Sequence, residues 1–134
     1  MPLTLEVATP ARLAVADEVD DVVAPGSEGY FGVLPGHAPF LTTLGIGELT
    51  YRKGREEFHL AVSGGFAEVR NDKVIVLADT AERPDEINRE RAERAKTRAE
   101  QRLAGRSQDE VDYTRAMAAL LRALTRISVA GRTR

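Results

Sequence analysis

Several features are scarce or missing in this chain of 134 residues, and each absence excludes a class of protein. It contains no cysteine, which excludes disulfides, thiol catalysis and cysteine-based zinc or iron–sulfur sites. The net charge of −2 argues against a basic nucleic-acid-binding protein. No apolar run approaches the ~18 residues of a membrane span, and the first residues show no signal-peptide pattern. We therefore expect a soluble, cytoplasmic protein.

The composition changes abruptly near Pro84. Residues 1–84 contain all six prolines, nine of the eleven glycines, and 13 acidic against 7 basic residues. Residues 85–134 contain no proline, one aromatic residue, and 12 basic against 8 acidic residues. Such a shift indicates two domains, 1–84 and 85–134, whose opposite net charges favour contact between them.

The first domain has the sequence pattern of an antiparallel β-sandwich. Leu3, Leu5 and Val7 alternate with polar residues, as do Leu60 and Val62 with their neighbours, so each set should occupy one face of a strand. The run 74–77 is apolar throughout and predicts a buried strand. Turn signals rich in proline and glycine recur at short intervals, which is typical of many short strands in a sandwich or barrel.

The second domain has the pattern of two helices in an antiparallel hairpin. Asp85 is a candidate cap for the first helix, and Gly105 a candidate left-handed stop. Residues 107–110 form a capping-box sequence for the second helix. Each helix should span about 20 residues and about 30 Å. Apolar stripes are predicted at Ala92, Ala95, Ala99 and Leu103 on the first helix and at Tyr113, Ala116, Leu120, Leu124 and Ile127 on the second. Because alanine buries little area, the hairpin should be marginally stable and able to open.

Few side chains in the sequence point to catalysis. The chain has two histidines: His37 lies in a tight turn, and His59 lies within a predicted strand. We interpret both as surface or turn-packing residues. Ser63-Gly64-Gly65 lacks the strand–turn–helix context of a nucleophile elbow. No metal-ligand spacing and no phosphate-binding loop pattern are present. We therefore predict a protein without catalytic activity.

Arginines at helical spacing are the most prominent chemical pattern. The first predicted helix carries them at 91, 94, 98 and 102, and the second at 115, 122 and 126. Two such rows could border one groove that binds a polyphosphate or an acidic protein surface. The alternative is a solvated face stabilised by carboxylates one turn away, such as Glu90 with Arg94. Spacing alone does not decide between these interpretations.

Four segments of the chain carry a resemblance to a known family. The glycine-rich stretch 26–39, GSEGYFGVLPGHAP, is followed by VSGGFAEV at 62–69, by VLADTA at 76–81, and by LTRISV at 124–129. Over its full length the chain resembles the epsilon subunit of bacterial F-type ATP synthase. The resemblance implies a β-sandwich of about ten strands followed by a regulatory helical hairpin.

The resemblance also implies partners and a location. The sandwich would bind the gamma subunit and the c-ring, coupling rotation to the catalytic head as a non-catalytic rotor subunit. The hairpin would inhibit ATP hydrolysis when it extends toward the alpha and beta subunits. The protein would be peripheral to the bacterial inner membrane, on the cytoplasmic side.

Two sets of site residues follow from the resemblance. One is a loop that faces the c-ring and gamma, comprising Glu28, Gly29, Tyr30, Phe31 and His37; Tyr30 stands where some relatives carry an acidic residue. The other is a regulatory ATP site, in which Asn88 replaces the aspartate of the family motif. Its residues would be Glu82, Ile87, Asn88, Arg91, Arg98, Arg122 and Arg126. No cofactor is required. The alternative function is an ATP sensor in which nucleotide latches the folded hairpin.

Overall fold

The computed structural model describes residues 2–105 and 110–133. The predicted capping box therefore lies largely outside the described residues. A 3-10 turn at Pro84–Glu86 separates the strands from the helices. The elements, in chain order, are β1 (Leu3–Ala8), β2 (Leu13–Val19), β3 (Asp21–Gly26), β4 (Gly29–Val33), β5 (Phe40–Thr43), β6 (Ile46–Lys53), β7 (Glu56–Arg70), β8 (Lys73–Glu82), α1 (Arg89–Ala104) and α2 (Glu110–Ala130).

The described strands number eight, whereas about ten were expected. The reason is visible in β7, which runs for 15 residues through Ser63-Gly64-Gly65, a sequence that predicts a turn. Gly64 and Gly65 bend this strand instead of ending it, with φ of +64° and +105°. A Cβ on Gly65 would contact the Leu77 carbonyl oxygen and lie 2.8 Å from Ala78 Cα, so glycine is required there.

The bend in β7 allows one strand to serve both layers of the sandwich. Before the bend, β7 pairs with β6 from Lys53↔Glu56 to Ile46↔Ser63; after it, β7 pairs with β5 from Thr43↔Phe66 to Phe40↔Val69. The strand order is β2-β1-β8-β7-β6-β3-β4, with β5 also on β7. All these pairings are antiparallel except β1 with β8, which is parallel. The predicted antiparallel sandwich is thus confirmed, with one parallel pair.

One hydrophobic cluster fills the sandwich, and the alternating patterns in the sequence locate it correctly. Leu3, Leu5 and Val7 of β1 are fully buried in it, as is Leu60 of β7. The prediction for the run 74–77 was wrong, because this segment alternates like a half-exposed strand. Val74 and Val76 are buried, whereas Leu77 is 55% exposed.

The first helix begins later than predicted. Asp85 lies in the 3-10 turn, and the N-cap of α1 is Asn88, whose side-chain oxygen accepts a hydrogen bond of 3.0 Å from the Arg91 N–H. Asparagine is among the best residues for this role because its oxygen satisfies an otherwise unpaired helix donor. At the other end Gly105 caps α1, but with an extended φ of −70° instead of the predicted left-handed conformation.

The two helices meet along alanines rather than along the larger apolar side chains. The buried residues of the contact are Ala92 and Ala99 on α1 and Ala116 and Ala123 on α2, each pair seven positions apart. The predicted stripe on α2 was partly wrong, because Tyr113 and Leu124 are exposed. Small side chains let two helix backbones approach closely, and Leu121 and Leu124 of α2 remain exposed to solvent.

The end of α2 docks on the outer face of β6 and β7. Val129 is fully buried there and forms a small cluster with Ala61 and Ile87. This contact also explains why Ala61, whose side chain points away from the sandwich core, is buried. The helical hairpin is therefore folded against the sandwich in this structure.

Candidate functional site

The β3–β4 hairpin and the segment between β4 and β5 bring the first set of predicted site residues together. Tyr30 is 60% exposed, and its hydroxyl accepts a hydrogen bond of 3.0 Å from the Glu48 N–H. The ring lies over Gly47, where a Cβ would collide with the tyrosine hydroxyl and would lie 2.8 Å from Pro25 Cβ. The missing side chain at Gly47 thus allows the β3–β4 hairpin to fold over β6 and hold Tyr30 in place.

An aromatic cluster lies next to Tyr30. Phe31 and Phe40 pack edge to face with ring centroids 5.2 Å apart, and the His37 ring is 6.1 Å from Phe40. His37 Nδ1 donates a hydrogen bond of 2.6 Å to the Ala38 carbonyl, which fixes the ring. An open cleft of about 440 Å³ is lined by Glu28, Gly29, Tyr30 and Phe31, together with Phe40. His37 does not line this cleft but packs against Phe40, which does. This region thus presents the Tyr30 and Phe40 rings and the Glu28 carboxylate to solvent, whereas Phe31 packs partly against the sandwich core.

A second exposed surface was missed by sequence reasoning. On the outer face of the sheet, direct cross-strand neighbours form one row, here called the apolar row: Thr43, Phe66, Leu77, Ala8 and Leu13. Phe66, Leu77 and Leu13 are each more than half exposed. The burial of Val74 and Val76 requires Leu77 to point outward, so period-2 alternation in β8 was the signal that could have revealed it.

The second set of predicted residues is only partly assembled. A cleft of about 640 Å³ separates the end of β8 from α2, here called the inter-domain cleft. Glu82, Arg122 and Arg126 line it, together with Arg12 from the turn between β1 and β2. Arg12 was not predicted, because nothing in the local sequence indicates that this turn approaches the helices.

The four other residues of that set do not line the inter-domain cleft. Ile87 packs in the apolar cluster with Ala61 and Val129, and Asn88 caps α1. Arg91 and Arg98 are exposed on α1. The predicted arginine rows therefore do not border one shared groove in this structure; from these rows the cleft receives only Arg122 and Arg126.

Ion pairs across the inter-domain cleft join the sandwich to the hairpin. Arg126 Nε lies 2.9 Å from Glu82 Oε1, and its Nη2 donates to Glu82 Oε2 at 3.1 Å. Arg12 pairs with Glu86 at 2.7 Å and also donates to the Ala81 carbonyl at 3.2 Å. Three carboxylates (Asp79, Glu82 and Glu86) thus line the cleft beside its three arginines.

The carboxyl of Glu86 is the titratable group in this cleft with a shifted pKa. Burial alone would raise its pKa, but the Arg83 N–H and the Arg12 guanidinium outweigh that effect, so the pKa is lowered. The Arg83 N–H donates to Glu86 Oε1 at 2.8 Å. Glu86 therefore stays ionised and ties the start of the hairpin to the β1–β2 turn.

The described residues contain neither a metal site nor a membrane span. Within residues 2–105 and 110–133, no group of histidine, aspartate and glutamate side chains is arranged to hold a metal ion. No helix in the same residues is long and apolar enough to cross a membrane.

Comparison with known proteins places the whole chain in one family. Residues 2–84 match the model of the ATP synthase delta/epsilon chain β-sandwich domain, and residues 85–131 match its long α-helix domain. The ATP synthase epsilon chain of Geobacter metallireducens is 53% identical over 131 residues, which is 98% of this chain and 95% of that one. The epsilon chain of Nitratidesulfovibrio vulgaris is 54% identical, with 96% of each chain covered.

Solved structures show the same fold. A chain in the mitochondrial ATP synthase of Euglena gracilis superposes with a TM-score of 0.82 at 24% identity, covering 98% of this chain and 82% of that one. A chain in the central stalk and c-ring of the Tetrahymena thermophila enzyme gives a TM-score of 0.62 at 14% identity, with 97% of each covered. The two family models and the relatives matched over nearly their full length show that the chain belongs to the ATP synthase epsilon chain family.

Proposed function

We propose that this chain is a non-catalytic central-stalk subunit of a bacterial F-type ATP synthase, peripheral to the cytoplasmic side of the inner membrane. The sandwich binds the gamma subunit and the c-ring, and the hairpin inhibits ATP hydrolysis. The single observation that carries the proposal is the apolar row, because it gives a member of this family a ready surface for a stalk partner.

The apolar row suits a permanent partner. Phe66 and Leu77 are direct cross-strand neighbours, and Leu13 follows Leu77 across Ala8, next to a register irregularity in the β1–β2 pairing. Strand pairing thus fixes their positions on the sheet. An exposed apolar surface of this kind is typical of an interface. We assign this row to gamma and assign the exposed loop with Glu28 and Tyr30 to the c-ring.

The hairpin has the properties of an arm that can leave the sandwich. Its contact with the sheet depends on one small apolar cluster around Val129 and on the ion pairs of Arg126 and Arg132. In the folded position Leu121 and Leu124 remain exposed on α2. Extension along gamma would bury these leucines and bring the basic residues of the hairpin near the alpha and beta subunits.

The test is a titration into an ATP-hydrolysing alpha–beta–gamma complex, with binding and hydrolysis measured separately. The full chain should bind and inhibit, whereas Leu77→Asp should lower the affinity by tenfold or more. Leu124→Asp is the matched control on the hairpin: it should bind like the parent but inhibit less. Undiminished binding by Leu77→Asp would contradict the assignment of the apolar row.

ATP sensing is a second candidate, favoured by the convergence of Glu82, Arg122 and Arg126 on the inter-domain cleft. Nucleotide bound there would connect β8 to α2 and so stabilise the folded hairpin. We expect Arg122→Ala to weaken ATP binding at least tenfold, as measured by calorimetry. Arg91→Ala is the matched control: if it weakens binding equally, the site includes α1 and is not the cleft described here. Unchanged binding by Arg122→Ala would exclude this candidate.

A further inference from the structure

A buried histidine lies under the end of the helical hairpin, and nothing in the proposed function uses it. His59 is on the outer face of β7 and is only 8% exposed, which contradicts its interpretation as a surface residue. Its Nδ1 lies 2.7 Å from Glu48 Oε1 and 3.2 Å from Thr50 Oγ1, both on β6. The imidazole is therefore held in one orientation against a carboxylate.

The same carboxylate holds the end of the hairpin. Arg132, just beyond α2, donates from Nε to Glu48 Oε1 at 3.0 Å and from Nη2 to Oε2 at 3.3 Å. Oxygen Oε1 of Glu48 thus contacts both His59 and Arg132. These three residues, here called the clasp, connect the outer face of β6 and β7 to the last residues of the hairpin.

Among the described residues, a second carboxylate lies near the ring. Glu57 Oε2, on β7 itself, lies 3.8 Å from His59 Nε2. Arg52 is opposite Glu57 in register, but its guanidinium binds Asp21 at 2.6 Å. The imidazole thus faces two carboxylates, Glu48 and Glu57, and shares the first of them with Arg132.

Protonation of the ring has different consequences in the docked and released hairpin. A neutral ring donates one N–H, from Nδ1 to Glu48. The negative charge of Glu48 is then balanced by its ion pair with Arg132. A protonated ring carries a positive charge, competes with Arg132 for Oε1, and repels the guanidinium. When the hairpin is released and Arg132 moves away from Glu48, the protonated ring still lies beside both carboxylates and becomes exposed to water. Release of the hairpin therefore removes a repulsion that a protonated ring meets only in the docked state.

We propose that the clasp of His59, Glu48 and Arg132 makes docking of the hairpin pH-sensitive, so that acidification toward pH 6 releases its C-terminal end. By linkage, the state that binds the proton better is favoured as the pH falls. Imidazole is the side chain that titrates in this range. The inference rests on the proposed function only in taking the hairpin to be a movable arm.

The absence of cysteine allows a direct test on the full chain. Cysteines introduced at Arg55, in the β6–β7 turn, and at Arg115, on α2, are both at exposed positions and would carry a donor and an acceptor dye. Energy transfer reports docking, with Val129→Asp as the released reference. Between about pH 8 and about pH 6, the ratio of docked to released protein should fall about fivefold or more, the lower end of typical coupling between sites.

Two variants isolate the histidine. His59→Gln should remove the pH response, whereas His37→Gln, the change at the other histidine of the sequence, should leave it intact. Arg132→Gln should shift the protein toward the released state at both pH values. If His59→Gln responds like the parent, or if the parent docks more tightly at low pH, the inference is wrong.

The same measurement separates failure of this inference from failure of the proposed arm. If Val129→Asp changes the energy transfer while the parent shows no pH response, the clasp is not a pH switch, but the hairpin still moves. If Val129→Asp leaves the transfer unchanged, the hairpin does not detach from the sheet, and both the inference and the inhibitory arm are contradicted.

Discussion

The sandwich and the hairpin are stabilised by side chains of different size. In the sandwich, fully buried leucines and valines from both layers meet in one cluster. In the hairpin, the buried residues between the helices are alanines, and Val129 is the one large fully buried side chain of the described helical residues. Because burial stabilises in proportion to apolar area, the two regions should differ in stability, and one can be weakened without the other.

The largest effect is expected from a change in the sandwich core. Leu60→Ala removes a fully buried side chain and should lower the free energy of unfolding of the sandwich by about 2–5 kcal/mol. Urea denaturation followed by tyrosine circular dichroism measures this change. Leu41→Ala, at an exposed position of β5, is the matched control and should cost less than about 0.5 kcal/mol. Equal effects of the two substitutions would contradict the assignment of the core.

A larger side chain in the helix contact should weaken the hairpin selectively. Ala116→Leu forces extra volume between closely approaching helices and should cost about 1–3 kcal/mol. Amide hydrogen exchange should accelerate in α1 and α2 while the protection of β7 stays unchanged. Ala104→Leu places the same side chain at an exposed position near the end of α1 and should have little effect. If β7 also loses protection after Ala116→Leu, the two regions unfold as one unit.

A smaller effect is expected when the docking of the hairpin on the sheet is weakened. Val129→Ala removes two methyl groups from the cluster with Ala61 and Ile87 and should weaken docking by about 1–2 kcal/mol. Hydrogen exchange should rise in the last two turns of α2 but not between the helices. Ser128→Ala, at the exposed neighbouring position, should leave exchange unchanged. Unchanged exchange after Val129→Ala would show that the ion pairs alone maintain docking.

Much of the sandwich was predictable because its patterns are local. Alternation in β1 identifies Leu3, Leu5 and Val7 as buried from a few neighbouring residues. What the sequence did not reveal depends on distant partners. Ala61 and His59 are buried on the outer face of β7 because α2 docks there, some 70 residues later in the chain. Likewise, periodicity on α2 identified Ala116 correctly but favoured the exposed Leu124, whereas close helix approach selected Ala123.

The candidate sites show the same limit. Glu28, Tyr30 and Phe31 are contiguous in sequence, and the structure places them around one cleft. The predicted nucleotide residues come from β8, α1 and α2, so their convergence depends on how each helix is rotated about its axis. Arg122 and Arg126 face the inter-domain cleft, whereas Arg91 and Arg98 do not. Helical spacing fixes which arginines share a face but not which neighbour that face meets.

The smallest effect is expected from the ion pair that joins the two regions at Glu86. Because the pKa of Glu86 in the folded protein is lowered from 4.5, its ionised form stabilises the fold at neutral pH. This contribution should decline as the pH falls below about 4.5, where the carboxyl becomes protonated. Glu86→Gln should therefore cost under about 1 kcal/mol at pH 7, because partial exposure screens the pair with Arg12, and nothing at low pH. Thermal unfolding at several pH values measures the stability lost in Glu86→Gln. Glu28→Gln, in the exposed loop, is the control. If the stability difference between the parent and Glu86→Gln grew as the pH fell, the carboxyl would be stabilised in its protonated form. That result would contradict the direction of the pKa shift.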